Sequence, residues 1–221
     1  MSEDVKLDES PIFFWTQKEF ACFSNFHPSP IEVDGKIWLT VEHYFQAMKT
    51  LDESERESIR LATSPKEAKK LGGKCNLRPD WEEIKFDVML AALRAKFSDE
   101  KFRKVLLDSG VRPIYEDSPW DSEWGTGELG GIGTGNNKLG KALMQVRNGI
   151  ELDKQCDEAM KICEELCKKE DFKKAFDEVK TICDRYGLIS EVVMFAGLRP
   201  DMTLDEFVNA LDAGMWEWDV C

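Results

Sequence analysis

Thr40–Ala47, which reads TVEHYFQA, predicts an amphipathic helix around which the rest of the fold is organised. Apolar side chains follow the i, i+3, i+4, i+7 spacing of a buried helix face at Val41, Tyr44, Phe45 and Met48. Thr40 precedes the first of them and stands where a helix N-cap is expected. The pattern therefore predicts a helix that begins at Val41 and turns one side toward a core.

A polar face is predicted on the same helix, where Glu42, Gln46 and Lys49 fall together. Glu42 lies in the first turn, where the positive end of the helix dipole favours an ionised carboxylate. Two interpretations are open. In one, the carboxylate only stabilises the helix end, by a few tenths to about 1 kcal/mol. In the other, it is a catalytic group that the helix presents to a pocket.

Strands and further helices are predicted on both sides of this helix. Ile31–Val33 and Lys36–Trp38 flank Asp34-Gly35, a dipeptide that favours a two-residue hairpin turn. Ser64-Pro65 is typical of a helix start and divides the helical pattern of 54–72. Other predicted elements are helices at 81–97 after an Asp80 cap, at 99–108 and at 138–147, and a short strand at 114–116. The sequence therefore predicts an α+β fold, predominantly helical with a small β-hairpin or sheet.

Three regions are predicted from changes in composition along the chain. Residues 1–11 are predicted to be a disordered acidic N-terminus, and residues 12–150 a compact domain rich in aromatic and glycine residues. Residues 151–221 are predicted to be an acidic helical C-terminal extension, because 18 of the 43 acidic side chains lie there. The extension contains a capping box at Thr203–Glu206. One interpretation of it is a docking surface for a protein partner.

Composition places the chain among folded proteins without a membrane segment. Hydrophobic residues make up 42% and charged residues 33% of the 221 residues, and no run of 18 apolar residues occurs. The acidic N-terminus lacks the features of a secretory signal. Seven cysteines, an odd number without a CxxC pair, favour reduced thiols inside a cell. We therefore expect a cytoplasmic protein, or a nuclear one in a eukaryote.

No metal ion or other cofactor is predicted. Cys156, Cys163 and Cys167 share a predicted helical face, but the two histidines lie far upstream, so core packing is the better interpretation. The formal net charge of −13 predicts no extended positive surface for the backbone of a nucleic acid. We therefore expect any polynucleotide to be recognised through a local pocket.

Three further segments contain candidate ligand-binding residues. Phe23–Phe26 combines aromatic rings, which stack on bases at about 1–3 kcal/mol per base, with the amide of Asn25. Trp81 begins a helix and either packs as a staple or walls a pocket. Trp120–Gly125 places two candidate pocket residues, Asp121 and Trp124, ahead of a glycine-rich loop. For each segment, core packing or a surface turn is the alternative interpretation.

The glycine-rich loop contains GTGELG at 125–130, which matches the pattern GxGxxG. No strand is predicted before it and no helix begins within it, so it is not a dinucleotide-binding fingerprint. A loop that leaves N–H groups free before a helix start near Asn136-Asn137 predicts a phosphate cradle. A plain surface loop is the alternative.

Two carboxylates, Glu42 and Asp121, are the candidate catalytic groups. Cleavage of an N-glycosidic bond needs one group near the leaving nitrogen. It needs another group that activates water or stabilises an oxocarbenium-like sugar. The residue types fit this chemistry, and the sequence alone leaves open whether they converge.

Taken together, these segments resemble the YbiA/NADAR family of N-glycosidases. The matching pieces run in order from about residue 12 to residue 150: FSNFHPSPIEVDGK, TVEHYFQAMK, SPKEAKKLG, LRPDW, ALRAKF, the D-x-x-WG at 121–125 and NKLGKALMQVR. The resemblance implies a compact, mostly helical α+β catalytic domain. It implies Glu42 as the principal catalytic carboxylate, assisted by Asp121, and the loop from Gly125 onward as the phosphate-side wall. The other residues expected to contact substrate are Phe23, Asn25, Lys36, His43, Trp81, Trp124 and Asn137.

The resemblance also implies a reaction. Members of the family hydrolyse N-glycosidic bonds to ribose, either in early riboflavin intermediates or in guanine that carries ADP-ribose on its amino group. We expect the second reaction, with ADP-ribosylated guanine as substrate and ADP-ribose as product. The alternatives are a riboflavin-pathway N-glycosidase and a non-catalytic ADP-ribose-binding module. A Schiff base formed by Lys36 or Lys49 is the alternative to direct hydrolysis.

Overall fold

The structure is a computed structural model that describes residues 9–14, 18–166, 168–171, 174, 201–206 and 208–209. The chain divides into two compact units, Met1–Asn148 and Gly149–Cys221. Within the first unit, short strands and helices alternate as an α+β fold in which helices predominate, so the predicted fold class is confirmed. The predicted disorder of residues 1–11 lies largely outside the described residues.

A β-hairpin precedes the first α-helix. Strands β2 (Ile31–Val33) and β3 (Lys36–Trp38) are antiparallel. Asp34 and Gly35 connect them with φ angles of 53° and 70°. Both angles lie in the left-handed region that a two-residue hairpin turn requires, and Asp and Gly tolerate it. The predicted hairpin is therefore confirmed.

A second, parallel pair of strands joins distant parts of the first unit. Strand β1 (Ile12–Phe13) pairs with β4 (Ile114–Tyr115), with Ile12 opposite Ile114 and Phe13 opposite Tyr115. Ile12 and Ile114 are both fully buried. The sequence predicted β4 but not β1, because a two-residue strand has too few residues for a periodic pattern. The pair fixes the backbone immediately before Glu116.

The helices of the first unit begin where their caps predict. They follow a 3₁₀ helix at Lys18–Phe23 and are α1 (Val41–Ala47), α2 (Glu53–Arg60), α3 (Pro65–Gly72), α4 (Trp81–Phe97) and α5 (Glu100–Asp108). Thr40 and Ser64 accept hydrogen bonds from the backbone N–H groups of His43 and Glu67, as N-caps do. Asp80 does not cap α4; its carboxylate instead binds the guanidinium of Arg78.

Helix α1 lies at the centre of the unit and packs against α2, α3 and α4. All seven of its residues are buried, including Glu42, His43 and Gln46. The sequence predicted one buried face and one polar face. The structure covers both, because neighbouring helices enclose the polar side as well. The polar face of α1 is therefore inside the protein.

Helix α6 (Lys138–Leu166) is longer than predicted. The predicted end at Arg147 is wrong, since the helix continues through Gly149 despite the low helix propensity of glycine.

In the second unit, the predicted capping box is present. Thr203 donates its backbone N–H to Glu206 at 2.7 Å, and the Glu206 N–H reaches the Thr203 hydroxyl at 3.3 Å. The remaining elements predicted between 172 and 221 lie largely outside the described residues. No helix in the described part of the chain is long and apolar enough to span a membrane.

Candidate active site

The polar face of α1 lines a cavity of about 400 Å³ in the first unit. Helices α1, α3 and α4 contribute to its walls, together with segment 24–26 and the loop after β4. The predicted site residues that line it are Asn25, Glu42, Trp81, Asp121 and Trp124. Segments far apart in the chain therefore converge on one cavity, as the sequence could not show.

Glu42 is held by two hydrogen bonds. Its backbone N–H donates to the carbonyl oxygen of Asn25 at 3.1 Å, and its Oε1 accepts from Nε2 of Gln46 at 2.8 Å. Only 5% of the residue is exposed. Burial raises the pKa of Glu42, while the hydrogen bond from Gln46 and the positive charges of Lys69 and Lys49 act in the opposite direction. Burial therefore acts against the ionised form that the helix dipole favours.

Segment 24–26 closes the cavity next to Glu42. The Asn25 amide nitrogen contacts the sulfur of Met89 at 3.6 Å, and its Oδ1 is buried without a partner among the described residues. Beneath this segment, Lys96 donates from Nζ to the carbonyl oxygen of Ser24 at 2.8 Å. Lys96 is 1% exposed, and burial lowers its pKa to about 7. The orphan oxygen of Asn25 makes this amide a candidate ligand contact.

Two indole rings form the aromatic wall of the cavity. Trp81 and Trp124 both lie edge-on to Phe45, with ring centroids 5.0 Å and 5.1 Å away. Trp124 also stacks with Phe86 at 6.5 Å. These contacts fix both indoles, so the cavity has flat apolar surfaces of the kind that accept sugar and base faces.

Asp121 faces the cavity and also orders the loop that carries Trp124. Its Oδ1 accepts the backbone N–H groups of Glu123 at 3.0 Å and Trp124 at 2.8 Å. One carboxylate oxygen is therefore committed to the turn. Asp121 can orient a substrate through its other oxygen, but its loss would also disturb the indole wall.

Three lysines provide the positive charge of the cavity: Lys49, Lys69 and Lys85. The Lys49 ammonium lies 5.7 Å and 5.9 Å from the ring centroids of Phe45 and Trp81. Burial lowers the pKa of Lys49, and the carboxylate of Glu42 raises it.

Lys85 forms ion pairs with Glu82 and Glu123 at the edge of the cavity. Lys69 and Lys85 were not predicted as site residues, because their separation from Glu42 along the chain hides their proximity to it.

The glycine-rich loop does not form the predicted cradle of free N–H groups. Gly127, Gly130 and Gly135 donate their N–H groups to oxygen atoms within the loop and the residues just before it. A Cβ at Gly125 would lie 2.9 Å from the Asp121 carbonyl oxygen, so this glycine serves close packing and does not line the cavity. These three N–H groups are therefore not free to bind a phosphate, and the lysines are the positive groups that line the cavity.

Three predicted contact residues lie in the structural framework and not in the cavity. Phe23 is fully buried against Phe14 and Phe97. His43 is fully buried, with its ring nitrogens 2.8 Å from the Thr40 hydroxyl and 3.1 Å from the Ala62 carbonyl oxygen. Asn137 adopts a φ of 48° and links the Glu116 N–H to the Ile114 carbonyl oxygen through its amide. These three residues, which lie in the motifs, stabilise the fold through packing and hydrogen bonds.

Lys36 also lies away from the cavity. It extends from β3 at the surface and pairs with Glu53 at 3.2 Å, with nearly half of its side chain exposed. Lys36 therefore does not line this cavity, and its contact with substrate stays a prediction. Lys49, the other lysine considered for covalent chemistry, is the one that lines the cavity.

Glu116 is a cavity residue that the sequence did not single out. It follows β4 directly, and its Oε2 is buried without a hydrogen-bond partner among the described residues. Its pKa is raised to about 7, chiefly by burial and also by the nearby negative charges of Asp121 and Glu42, against the effect of Lys69. A carboxyl group at the end of a predicted strand was the available signal.

A second cavity of about 620 Å³ is lined by several of the same residues. Ser24, Phe26, Lys69, Glu116 and Asp121 are common to both cavities. The second is lined in addition by Phe14, Ala21, Lys66, Ser118 and Trp120, whose indole is 83% exposed. The two cavities therefore adjoin, with carboxyl groups at their shared boundary.

The site combines carboxyl groups, flat indole walls and ammonium groups in one partly enclosed space. This combination suits hydrolysis of a glycosidic bond in a substrate that carries an anionic group. The described residues include no cluster of three or more His, Cys, Asp and Glu side chains placed to hold a metal ion. Fold and site together define the class of a small glycosidase-type domain.

The chain belongs to the NADAR family. A NADAR domain model matches residues 13–151, which include both cavities. N-glycosidase YbiA of Escherichia coli (strain K12) is 43% identical over 155 residues, which cover 69% of this chain and 95% of that protein. An N-glycosidase of Nostoc punctiforme is 40% identical over 145 residues, covering 62% of this chain and 90% of the relative.

Two further similarities extend the comparison. The NMR structure of the E. coli protein YbiA superimposes with a TM-score of 0.61 at 41% identity, covering 67% of this chain and 89% of that chain. A chloroplastic riboflavin biosynthesis protein of Zea mays is 37% identical over 156 residues, which are 62% of this chain but only 25% of that protein. The resemblance seen in the motifs is confirmed, and the likeness to the N-glycosidases supports an N-glycosidase activity.

Proposed function

We propose that this protein is an N-glycosidase that removes ADP-ribose from the amino group of guanine. The observation that carries the proposal is the placement of Glu42, buried in a cavity walled by two indoles and three lysines. Glu42 activates the attacking water or stabilises the oxocarbenium-like ribose as the C–N bond breaks. Asp121 orients the substrate and holds the loop of Trp124.

The second cavity supports a substrate larger than a ribose phosphate. It adjoins the first at Glu116 and Asp121, and it offers aromatic surface at Trp120 and Phe26 and positive charge at Lys66. ADP-ribosyl guanine has two bases, two riboses and a diphosphate to place. A substrate with several aromatic and anionic parts makes use of both cavities, whereas a single phosphoribosyl group fills only part of this space.

The charge of the whole chain favours recognition of a single modified base in a pocket and disfavours binding along a nucleic acid backbone. The formal net charge is −13, so the positive side chains at the cavities are local exceptions. A protein that grips a nucleic acid backbone needs many phosphate contacts to release counterions. We therefore expect a guanine presented at an end or in an unpaired position.

The direct test is release of ADP-ribose from an ADP-ribosylated guanine oligonucleotide, followed by chromatography. We expect turnover by the wild-type protein and a fall in kcat of about 10²–10⁴-fold for Glu42→Gln, the size typical of a lost acid–base group. Glu32→Gln is the matched control, because Glu32 lies exposed on β2, and it should match the wild type. Equal turnover by the two variants would remove Glu42 from its role.

A phosphoribosylamino-pyrimidine of riboflavin synthesis is the second candidate substrate, favoured by the likeness to the Zea mays riboflavin biosynthesis protein. The same assay run side by side with this compound gives the ratio of the two kcat/KM values. We expect the ratio to favour the ADP-ribosyl substrate. A ratio in favour of the pyrimidine would establish the second candidate instead.

A non-catalytic ADP-ribose-binding module is the remaining alternative. The carboxyl groups that line the cavity argue against it, because acidic walls weaken the binding of a diphosphate; they are Glu42, Glu82, Glu116, Asp121 and Glu123. Calorimetry that shows tight ADP-ribose binding, with no product formed from any N-linked substrate, would establish this alternative.

A further inference from the structure

Glu116 lies at the boundary between the two cavities on a rigid stretch of backbone. Its N–H donates to Oδ1 of Asn137 at 3.0 Å. Its carbonyl oxygen accepts from the N–H groups of Ser118 at 2.8 Å and Thr126 at 2.9 Å. The parallel pair of β1 and β4 ends immediately before it. The backbone that carries the Glu116 side chain is therefore fixed at the boundary of the two cavities.

The two glutamates at the site, Glu42 and Glu116, have different partners. Glu42 accepts a hydrogen bond from the Gln46 amide, and Lys69 and Lys49 favour its charged form, although burial raises its pKa. Oε2 of Glu116 is buried with no partner among the described residues, although it borders both cavities. An unpaired buried carboxyl group avoids the penalty of an isolated charge by holding a proton.

The charges around Glu116 agree with this difference. Asp121 from the loop and Glu42 from α1 disfavour a negative charge on Glu116, and Lys69 from α3 favours it. Lys66, also on α3, lines the second cavity. With burial as the largest cause, the pKa of Glu116 is raised to about 7. A substantial share of Glu116 is therefore protonated at neutral pH, within reach of the boundary between the cavities.

We propose that Glu116 is the general acid of the reaction and delivers its proton to the leaving nitrogen. The proposal rests on the N-glycosidase function proposed above. Ribose lies in the first cavity against Glu42, and the leaving base passes the boundary toward the second cavity. An amine anion is a poor leaving group, so cleavage of its bond to the anomeric carbon needs a proton at the nitrogen.

The step balances with one water molecule. The bond between the anomeric carbon and the nitrogen breaks, and its electron pair stays on the nitrogen, which takes the proton of Glu116. A bond forms between the anomeric carbon and the water oxygen, and Glu42 accepts the proton that the water loses. Glu116 then recovers a proton from solvent and Glu42 releases one, so the products are the free amine and the sugar.

A pair of substrates that differ only in the leaving group tests the role of Glu116. One is the guanine-linked ADP-ribose; the other carries 4-nitrophenolate on the same anomeric carbon in the same configuration and leaves without a proton. For Glu116→Gln, we expect kcat to fall about 10²–10⁴-fold on the amine-linked substrate and less than about threefold on the nitrophenyl substrate. Glu42→Gln should lose activity on both.

The pH profile of the wild-type protein tests the same proposal without a variant. With the amine-linked substrate, activity should fall as the pH rises through the pKa of Glu116, about 7. That basic limb should be absent with the nitrophenyl substrate. A merely structural role of Glu116 would affect both substrates alike.

The outcomes separate this inference from the proposed function. The acid role alone would be overturned if the wild type cleaves the amine-linked substrate and Glu116→Gln has an unchanged kcat on it. Equal losses of kcat on both substrates in Glu116→Gln would overturn it as well. The same basic limb on both substrates would also overturn it. No wild-type turnover of any N-linked substrate would overturn the proposed function and this inference together. Thermal melting of Glu116→Gln shows whether the variant still folds. Glu116→Asp is a second variant, which keeps a carboxylic acid at this position.

Discussion

At the scale of single residues, the helix dipole and burial have opposite effects on the charge of Glu42. Its place in the first turn of α1 follows from Thr40 and the apolar spacing, and that much could be predicted from the sequence. The dipole effect is worth about 1 kcal/mol at most at an exposed site, whereas burial of a charge is far more costly. The burial comes from α2, α3 and α4, which no local pattern reveals.

The predicted contact residues divide into those that line the cavity and those that lie in the core. Trp81, Asp121 and Trp124 reach the cavity, and Phe23 and His43 are enclosed by the core. Sequence motifs mark residues that matter to a domain without separating contact with a ligand from support of the fold. Glu116 shows the converse, because its role depends on burial and on neighbours distant in sequence.

The two lysines considered for covalent chemistry should behave differently. Lys49→Met removes an ammonium from the cavity, so we expect KM for the ADP-ribosyl substrate to rise about 10–100-fold, the range for a lost hydrogen bond to a charged group. Lys36→Met should leave KM and kcat within about twofold, since Lys36 pairs with Glu53 at the surface. Steady-state kinetics measure both variants.

A covalent route through Lys49 would contradict direct hydrolysis. Borohydride added during turnover reduces a Schiff base to a stable secondary amine. We expect mass spectrometry to find no sugar adduct on Lys49. An adduct there, together with loss of kcat in Lys49→Met, would replace the role of Glu42 as the group that activates water.

At the scale of elements, caps and turn residues predicted boundaries well. The Ser64 hydroxyl caps a nearby backbone N–H group, and Asp34-Gly35 adopts the left-handed φ angles of a hairpin turn. Both effects depend on adjacent residues only, so they could be predicted from the sequence. The pairing of β1 with β4 joins positions 12 and 114 and could not be predicted from local pattern. The length of α6 was also missed, because a single glycine only weakens a helix.

The contact between α3 and α1 carries a prediction for one glycine. A Cβ at Gly72 would lie 2.7 Å from the Cβ of Gln46, whose amide holds Glu42. We expect Gly72→Ala to lower the free energy of unfolding by about 1–3 kcal/mol, the usual effect of overpacking, and to lower kcat by displacing Gln46. Chemical denaturation and steady-state kinetics measure the two effects.

Gly73→Ala provides the matched control for this contact. The nearest atom to a Cβ at Gly73 is the Lys69 carbonyl oxygen at 3.4 Å, and its backbone is in the ordinary helical region. The control should keep wild-type kcat and stability. If Gly72→Ala behaved like Gly73→Ala, the packing of α3 would not position Glu42.

At the scale of the whole molecule, the acidic composition and the positive cavity must be considered together. The net charge of −13 predicts no long positive surface, yet it conceals the three lysines that the fold brings to one cavity. Composition averages over the chain, whereas a binding site depends on a few side chains. Only the tertiary arrangement shows that positive charge and carboxyl groups share the same walls.

The central claim is that residue 42 faces the reacting carbon of an ADP-ribosyl group. The most direct measurement is a crystal structure of Glu42→Gln, which keeps the shape of the side chain, in complex with ADP-ribose. We expect the anomeric hydroxyl within hydrogen-bond reach of the residue 42 side chain, about 2.6–3.2 Å, and the diphosphate beside Lys49 or Lys69. A sugar bound away from residue 42, or outside both cavities, would contradict the account.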